Sequence, residues 1–366
     1  MAKVLLEDVY FEFGNKLLVK GINLEIEDKK YTVLLGPSGC GKTLILRMIV
    51  GLTRPTRSKI YIGDRLVNEI DPAERGIAMM FQDFALFSRL TVFDNLAFPL
   101  RTAKMSNLEI KQRVEETARL LHIEDFLYRH PTALSGGQQQ RVALGRTLVK
   151  RPSVFLFDEP LANLDAKLRM EMRSHLKKIQ QMLQTTVLHV TNDQMDAQSI
   201  ADRIAIMKEG EIEQTGSPEE IYESPANIFV ARFVGSPPIN LAEGMIEKKD
   251  GWICLNMGEF IIPLSEVALE KRYSQLIERE IVLGVRPECI NLAKGKEGMS
   301  FPAEVYFSQI QNNDLLVDLK VGDLVWRMKT HSDQTSLLAE GERVWLELVQ
   351  EKLLFFDKST QKRITV

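Results

Sequence analysis

One short stretch, Gly36-Pro37-Ser38-Gly39-Cys40-Gly41-Lys42-Thr43, constrains this chain more than any other. It fits G-x-x-x-x-G-K-[ST]. The apolar run Tyr31-Thr32-Val33-Leu34-Leu35 before it reads as a buried strand, and Leu44 to Gly51 after it reads as a helix ended by glycine. A strand, a glycine-rich turn and a helix in that order build a phosphate cradle. The glycines let successive N–H groups turn inward, and the positive end of the helix stands behind them. In such a cradle Lys42 reaches the β/γ-phosphates of a nucleotide and the Thr43 hydroxyl ligates Mg²⁺.

Far along the chain, Phe155-Leu156-Phe157-Asp158-Glu159 is a second buried strand ending in two carboxylates. By itself such a pair is an ordinary strand end. Behind a phosphate cradle, Asp158 is expected to hold Mg²⁺ and Glu159 to orient or deprotonate an attacking water. A further turn, Leu134-Ser135-Gly136-Gly137-Gln138-Gln139-Gln140-Arg141, opens a predicted helix and offers a second set of anion-facing N–H groups. One cradle and a second phosphate-binding turn in one chain fit most simply in a head-to-tail dimer, with each ATP between two subunits. Taken alone, the Ser-Gly-Gly turn is a helix cap.

The rest of the pattern sets the architecture. Lys3–Phe13 and Gly21–Glu27 read as strands, and about Thr102 to Lys150 reads as helical, with Leu108, Val114, Ala118, Leu121 and Ile123 on one face. Ala166–Leu183 is an amphipathic helix and Thr186–Val190 a strand. Alternating strands and helices imply a parallel sheet with helices on its faces. The chain then reaches Gly235-Ser236-Pro237-Pro238, a boundary, after which short strands follow one another. The expectation is an α/β nucleotide-binding domain over 1–235, with a helical subdomain at about 83–150, and a β-barrel domain over 236–366.

In this order the motifs resemble the ATP-binding subunits of ABC transporters, in the carbohydrate-importer branch of the maltose-transporter ATPases. The resemblance covers nearly the whole chain. Phe81-Gln82-Asp83-Phe84-Ala85-Leu86-Phe87 resembles the Q-loop of that branch, and Leu90 to Asn95 the segment after it. Leu161-Ala162-Asn163-Leu164-Asp165-Ala166 resembles the D-loop, and Gly235 to Asn240 and Gly284-Val285-Arg286-Pro287-Glu288 resemble parts of a C-terminal OB-like, TOBE-type domain. The resemblance implies a P-loop ABC ATPase domain followed by an all-β domain. It implies that Phe13 stacks on adenine, and that Gln82 contacts Mg²⁺ and the attacking water. It places Gly36, Pro37, Ser38, Gly39, Cys40, Gly41, Lys42, Thr43, Leu44, Asp158 and Asp165 at the nucleotide, and has Arg129, Ser135, Gly136, Gly137 and Gln138 complete the site of a partner subunit. ATP and Mg²⁺ are the implied cofactors. The implied partners are a second ATPase subunit, two membrane-spanning permease subunits and, indirectly, an extracytoplasmic solute-binding protein. The implied location is the cytoplasmic face of the cell membrane.

The chain also departs from the family. The switch histidine of the family stands after Val-Thr and before Asp-Gln; here that position is Asn192, while His189 lies within the strand and reads as a packed residue. Leu44 replaces a hydroxyl residue, and Ala162 replaces the D-loop serine. Asn192 can donate a hydrogen bond but cannot carry a proton or a positive charge. Three readings of this departure stand: an asymmetric dimer with a different ATPase, a homodimer whose sites are slowed or tolerate Asn192, and an engineered replacement.

Composition narrows the function. A net charge of −3 gives no basic footprint for nucleic acid, and no stretch approaches the ~20 apolar residues of a membrane-spanning helix. The N-terminal residues run straight into a strand pattern with no signal-peptide signature. Three scattered cysteines, Cys40, Cys254 and Cys289, argue against a disulfide framework or a zinc site. The favoured reading is an importer's energy-coupling ATPase, for a sugar or a glycerol-phosphate-type solute. The alternatives are a non-transport ABC ATPase and a regulatory nucleotide-binding protein with little turnover.

Overall fold

The computed structural model describes residues 2–162, 164–249, 252–266, 273, 276–296, 299–332 and 337–365. The chain forms two compact units, Met1–Pro218 and Glu219–Val366.

The first unit begins with β1 (Val4–Phe13) and β2 (Lys16–Ile26), followed by β3 (Tyr31–Leu35), α1 (Lys42–Val50), β4 (Arg57–Ile62), β5 (Arg65–Leu66) and β6 (Ile77–Met80). Three helices come next, α2 (Val92–Thr102), α3 (Asn107–Leu121) and α4 (Gly136–Leu148). The unit closes with β7 (Val154–Asp158), α5 (Ala166–Leu183), β8 (Thr186–Thr191), α6 (Gln194–Ile200), β9 (Arg203–Lys208) and β10 (Glu211–Gly216). β1, β2, β4 and β5 make a four-stranded antiparallel sheet, and the central sheet runs β10-β9-β3-β8-β7-β6. Its strands β9, β3, β8, β7 and β6 are parallel. β3, β7 and β8 are buried along their whole length, as continuous apolar runs in a parallel sheet should be. Their C-terminal ends lead into the phosphate cradle, the Asp158-Glu159 pair and the Asn192 segment, so the topology gathers all three at one edge of the sheet.

Two sequence expectations change in the helical segment. Leu108 is 68% exposed rather than buried. Ser106 and Glu109 form a capping box that starts α3 at Asn107 and sets its buried face on Ile110, Val114, Ala118 and Leu121. The segment after the Q-loop is itself a helix, α2, capped by Thr91 and continuing through Pro99.

The helix α7 (Pro218–Glu223) starts at the last residue of the first unit, and the second unit continues with the short helix α8 (Ile228–Phe233), then β11 (Asn240–Lys249), β12 (Trp252–Asn256), β13 (Ile261–Glu266), β14 (Glu280–Val285) and β15 (Ile290–Ala293). It ends with β16 (Phe301–Gln311), β17 (Asp314–Val321), β18 (Leu324–His331), β19 (Arg343–Leu348), β20 (Leu354–Asp357) and β21 (Arg363–Ile364). Two antiparallel sheets, β13-β12-β11-β14-β20-β21 and β15-β19-β16-β17-β18, enclose one apolar core. This is the all-β domain expected from the sequence.

The contacts divide the chain earlier than residue 235, because α8 is tied to the barrel. Ile228 and Ala231 pack with Ile239, Val282 and Phe356. The Arg286 guanidinium, 4% exposed, donates to the carbonyls of Tyr222, Ala231 and Val234. It also lies 4.0 Å from the centre of the Tyr222 ring, and Tyr222 donates to Glu288. Arg286 thus neutralises carbonyls at the end of α8. Arg286→Met leaves these acceptors buried and unpaired, and the substitution should cost about 2 kcal/mol, read as a lower urea midpoint for this unit.

Candidate active site

Local geometry explains the cradle. Gly41 has φ 109° and caps α1, a conformation that L side chains resist. At Gly36 a Cβ would stand 2.3 Å from the Met207 carbonyl oxygen, so only glycine lets the strand end pass there. Lys42 is 4% exposed, and its Nζ donates to the carbonyls of Gly36 (2.9 Å) and Pro37 (2.8 Å). The loop's own carbonyls satisfy the ammonium. Burial pushes the Cys40 thiol above its usual value, so it is a packed, protonated neighbour of the loop.

The two strand-end motifs meet at this loop. Thr43 Oγ1 donates to Asp158 Oδ1 at 3.0 Å. Burial, opposed by the Thr43 hydrogen bond and reinforced by the neighbouring Glu159, raises Asp158 above the ordinary carboxylate range. A hydroxyl and a carboxylate oxygen this close are hard donors of the kind Mg²⁺ takes, since that ion uses few protein ligands and keeps its waters. The residues present therefore fit the ion.

Gln82 Nε2 donates to Glu159 Oε2 at 3.2 Å. Glu159 has φ 45°, and its N–H is held by the Val190 carbonyl at 2.9 Å. A non-glycine residue in this region signals a constrained position. Asn192 Nδ2 donates to Ser38 Oγ at 3.3 Å, which puts the carboxamide on the cradle. Ser38, Gly39, Gly41, Lys42, Thr43, Leu44, Gln82 and Glu159 line one cleft of about 420 Å³. Leu44 also packs on the core cluster of the unit.

The remaining candidates stand elsewhere. Phe13 is 73% exposed, which excludes a core role and leaves its ring face open. Arg129 is exposed, its guanidinium 5.3 Å from the Phe126 ring centre. Ser135 caps α4 in a capping box with Gln138, and Gly136 and Gly137 begin the helix. The helix-cap reading of this turn is therefore true of its local structure, and its free N–H groups still form a helix N-terminus. Asp165 caps α5 through the Leu168 N–H. None of Arg129, Ser135, Gly136, Gly137 or Gln138 lines the cleft at the cradle. Asn163 lies outside the described residues.

Sequence reasoning missed two arginines. Arg146 on α4 donates to the carbonyls of Phe84 (2.8 Å) and Ala85 (2.5 Å), whose φ angles are 60° and 46°. It thereby fixes the bend after Gln82. Arg169 on α5 bonds Asp193 and the carbonyls of Ala162 and Leu164. Both join segments remote in sequence, and no local pattern marks them.

Comparison with known proteins places this geometry. The ABC transporter family model matches residues 19–162, and the MalK OB fold domain model matches residues 235–290. The trehalose/maltose import ATP-binding protein MalK of Thermococcus litoralis is 44% identical over 100% of both chains. The oligosaccharides import ATP-binding protein MsmX of Bacillus subtilis is 40% identical, also over 100% of both. The sn-glycerol-3-phosphate import ATP-binding protein UgpC of Escherichia coli is 41% identical over 96% of each chain. Among solved structures, a dimeric ATP-binding cassette in a post-hydrolysis state with ADP and phosphate is 33% identical, with a TM-score of 0.54, covering 59% of this chain and 98% of its own. With the cradle, the Asp158-Glu159 strand end and a C-terminal OB-fold region in one chain, these likenesses make it a member of the ATP-binding subunits of ABC importers.

Proposed function

We propose that this chain hydrolyses ATP to drive import of a sugar, an oligosaccharide or a glycerol-phosphate compound through two separate permease subunits. The observation that carries this reading is the full-length likeness to importer ATPases together with the Thr43–Asp158 and Gln82–Glu159 contacts at one cleft. Among the described residues no helix is long and apolar enough to cross a membrane. The likeness to importer ATPases supports a place at the cytoplasmic membrane face, where its partners hold the chain. Exposed Phe87 and Phe98, with ring centres 4.7 Å apart, lie on and beside α2 and supply an apolar contact for a permease.

In the proposed mechanism the cradle N–H groups and Lys42 bind the β- and γ-phosphates, exchanging the Gly36 and Pro37 carbonyls for anionic oxygens. Thr43, Asp158 and Gln82 would hold Mg²⁺, which would supply charge neutralisation at the phosphates. Gln82 positions the attacking water, and Glu159 accepts its proton. Asn192 donates to the γ-phosphate from its place beside Ser38. Phe13 offers a face to adenine. Arg129 and the Ser135–Gln138 turn complete the site of the second ATPase subunit, with Asp165 beside it. A tagged chain taken from native membranes should bring down two membrane-spanning proteins; recovery with ribosomes or nucleic acid instead overturns the transport reading.

Asn192 makes turnover slow at the chain's own cradle, because a neutral carboxamide stabilises developing phosphoryl charge less than an imidazolium. Asn192→His should raise kcat about tenfold at similar KM for ATP. Equal rates for the two proteins defeat the slowed-site reading. Activity that appears only when a second, different ATPase subunit is added identifies the dimer as asymmetric.

A further inference from the structure

Arg169 occupies the first turn of α5, where a cation faces the positive end of the helix and is disfavoured. Its contacts explain why it stands there. Nη1 donates to Asp193 Oδ2 at 3.0 Å, while Nη2 donates to the carbonyls of Leu164 (3.1 Å) and Ala162 (3.4 Å). The pair is only partly exposed, at 29% for the Arg169 side chain and 25% for Asp193, so solvent screens it incompletely. Asp193 in turn caps α6 through the N–H groups of Met195 (2.7 Å) and Asp196 (3.4 Å). Arg173 closes the network on Asp193 (3.4 Å) and Asp196 (2.6 Å).

Asn192 immediately precedes Asp193 and reaches Ser38 of the cradle. One guanidinium therefore joins the backbone of Ala162, one departure from the family pattern, to Asp193, the neighbour in sequence of Asn192, the other. A serine at 162 could add a side-chain hydrogen bond of its own; alanine leaves that end of the segment to backbone contacts such as those made by Arg169. The planar fork of arginine suits this task, since it holds a carboxylate and carbonyls in different directions at once.

We propose that Arg169 is a positioning residue that couples the segment 161–165 to Asn192, so that the placement of the carboxamide on the cradle depends on the conformation of the D-loop. This rests on the reading of Asn192 as a γ-phosphate donor. Arg169 touches no reacting atom in this account. It acts through Asp193.

The test uses the full chain and two readouts. In hydrogen exchange, Arg169→Met should speed exchange about tenfold in both 160–166 and 191–197, whereas Arg173→Met should affect only the second segment. In turnover, Arg169→Met should lower kcat about tenfold with KM for ATP within about twofold, the cost of a slightly misplaced group. In an Asn192→Ala background the same substitution should lower kcat less than about twofold further. Arg169→Lys should restore about a third of the rate, because an ammonium keeps Asp193 and releases the carbonyls. Full additivity of Arg169→Met and Asn192→Ala overturns the coupling. If Asn192→Ala hydrolyses ATP as fast as the unsubstituted chain, the reading of Asn192 falls. The coupling is then decided by exchange, and unchanged exchange in either segment overturns it.

Discussion

Glu159→Gln is expected to lower ATP turnover by about 10²–10⁴-fold, the range attributed to a positioned general base, while nucleotide binding stays within about twofold. The substitution keeps the shape of the side chain and removes its ability to take a proton. The site around it is otherwise preserved. The Glu159 N–H stays on the Val190 carbonyl, and the Gln82 carboxamide can pair with another amide. Lys42, Thr43 and Asp158, assigned to the phosphates and the ion, are not touched. The comparison of kcat with affinity for a fluorescent ATP analogue separates the two effects. Turnover within about tenfold of the unsubstituted chain would remove Glu159 from the base role, and Gln82, its neighbour in the cleft, could not replace it, because a carboxamide is not a base at neutral pH.

How far such a site can be read beforehand depends on whether its signal is local. The cradle, β3, β7 and α5 follow from contiguous patterns: an apolar run, fixed glycines, an unbroken amphipathic period. Their positions agree with expectation nearly residue for residue. The burial of His189 was likewise legible from its place inside an apolar strand. Where the local signal is mixed, reading failed. Pro99 left the start of α2 unmarked inside the expected helical subdomain, and on α3 the face was right at Val114, Ala118 and Leu121 but wrong at Leu108, where the capping box at Ser106 turns the apolar side chain outward and buries Ile110 instead. In the second unit, β11 and β18 carry charged residues on their outer faces, so they lack the compact apolar runs that marked β12 and β14. Nothing local announces the long-range ties. Arg146 to Phe84, Arg169 to Asp193 and Arg286 to Val234 each depend on a fold already formed.

Acid should destabilise the first unit through His189. This residue is completely buried on β8, beside Phe157 and under Tyr31, whose hydroxyl lies 3.0 Å from Nδ1. Its Nε2 has no hydrogen-bond partner among the described residues. Burial, reinforced by the nearby Arg173 charge and only opposed by Asp193, lowers its pKa to about 3. Folded His189 is therefore neutral across the physiological range, while in the unfolded chain it titrates near pH 6.5. Below about pH 6.5 the unfolded state binds the extra proton, so stability falls as the pH falls, and the loss stops growing near the folded value of about 3. Between pH 7 and pH 4 the loss from this one group is on the order of 3 kcal/mol. Urea unfolding of the first unit, followed from pH 7 to pH 4, should show that slope. His189→Gln replaces the titrating ring with a neutral carboxamide that does not titrate, so it should flatten the slope even though it lowers stability at pH 7 through poorer packing. An unchanged slope in His189→Gln would assign the acid sensitivity to carboxylates instead. The Asp94 carboxyl, held below its usual value by the Thr91 hydroxyl and by Arg101, is the first to consider.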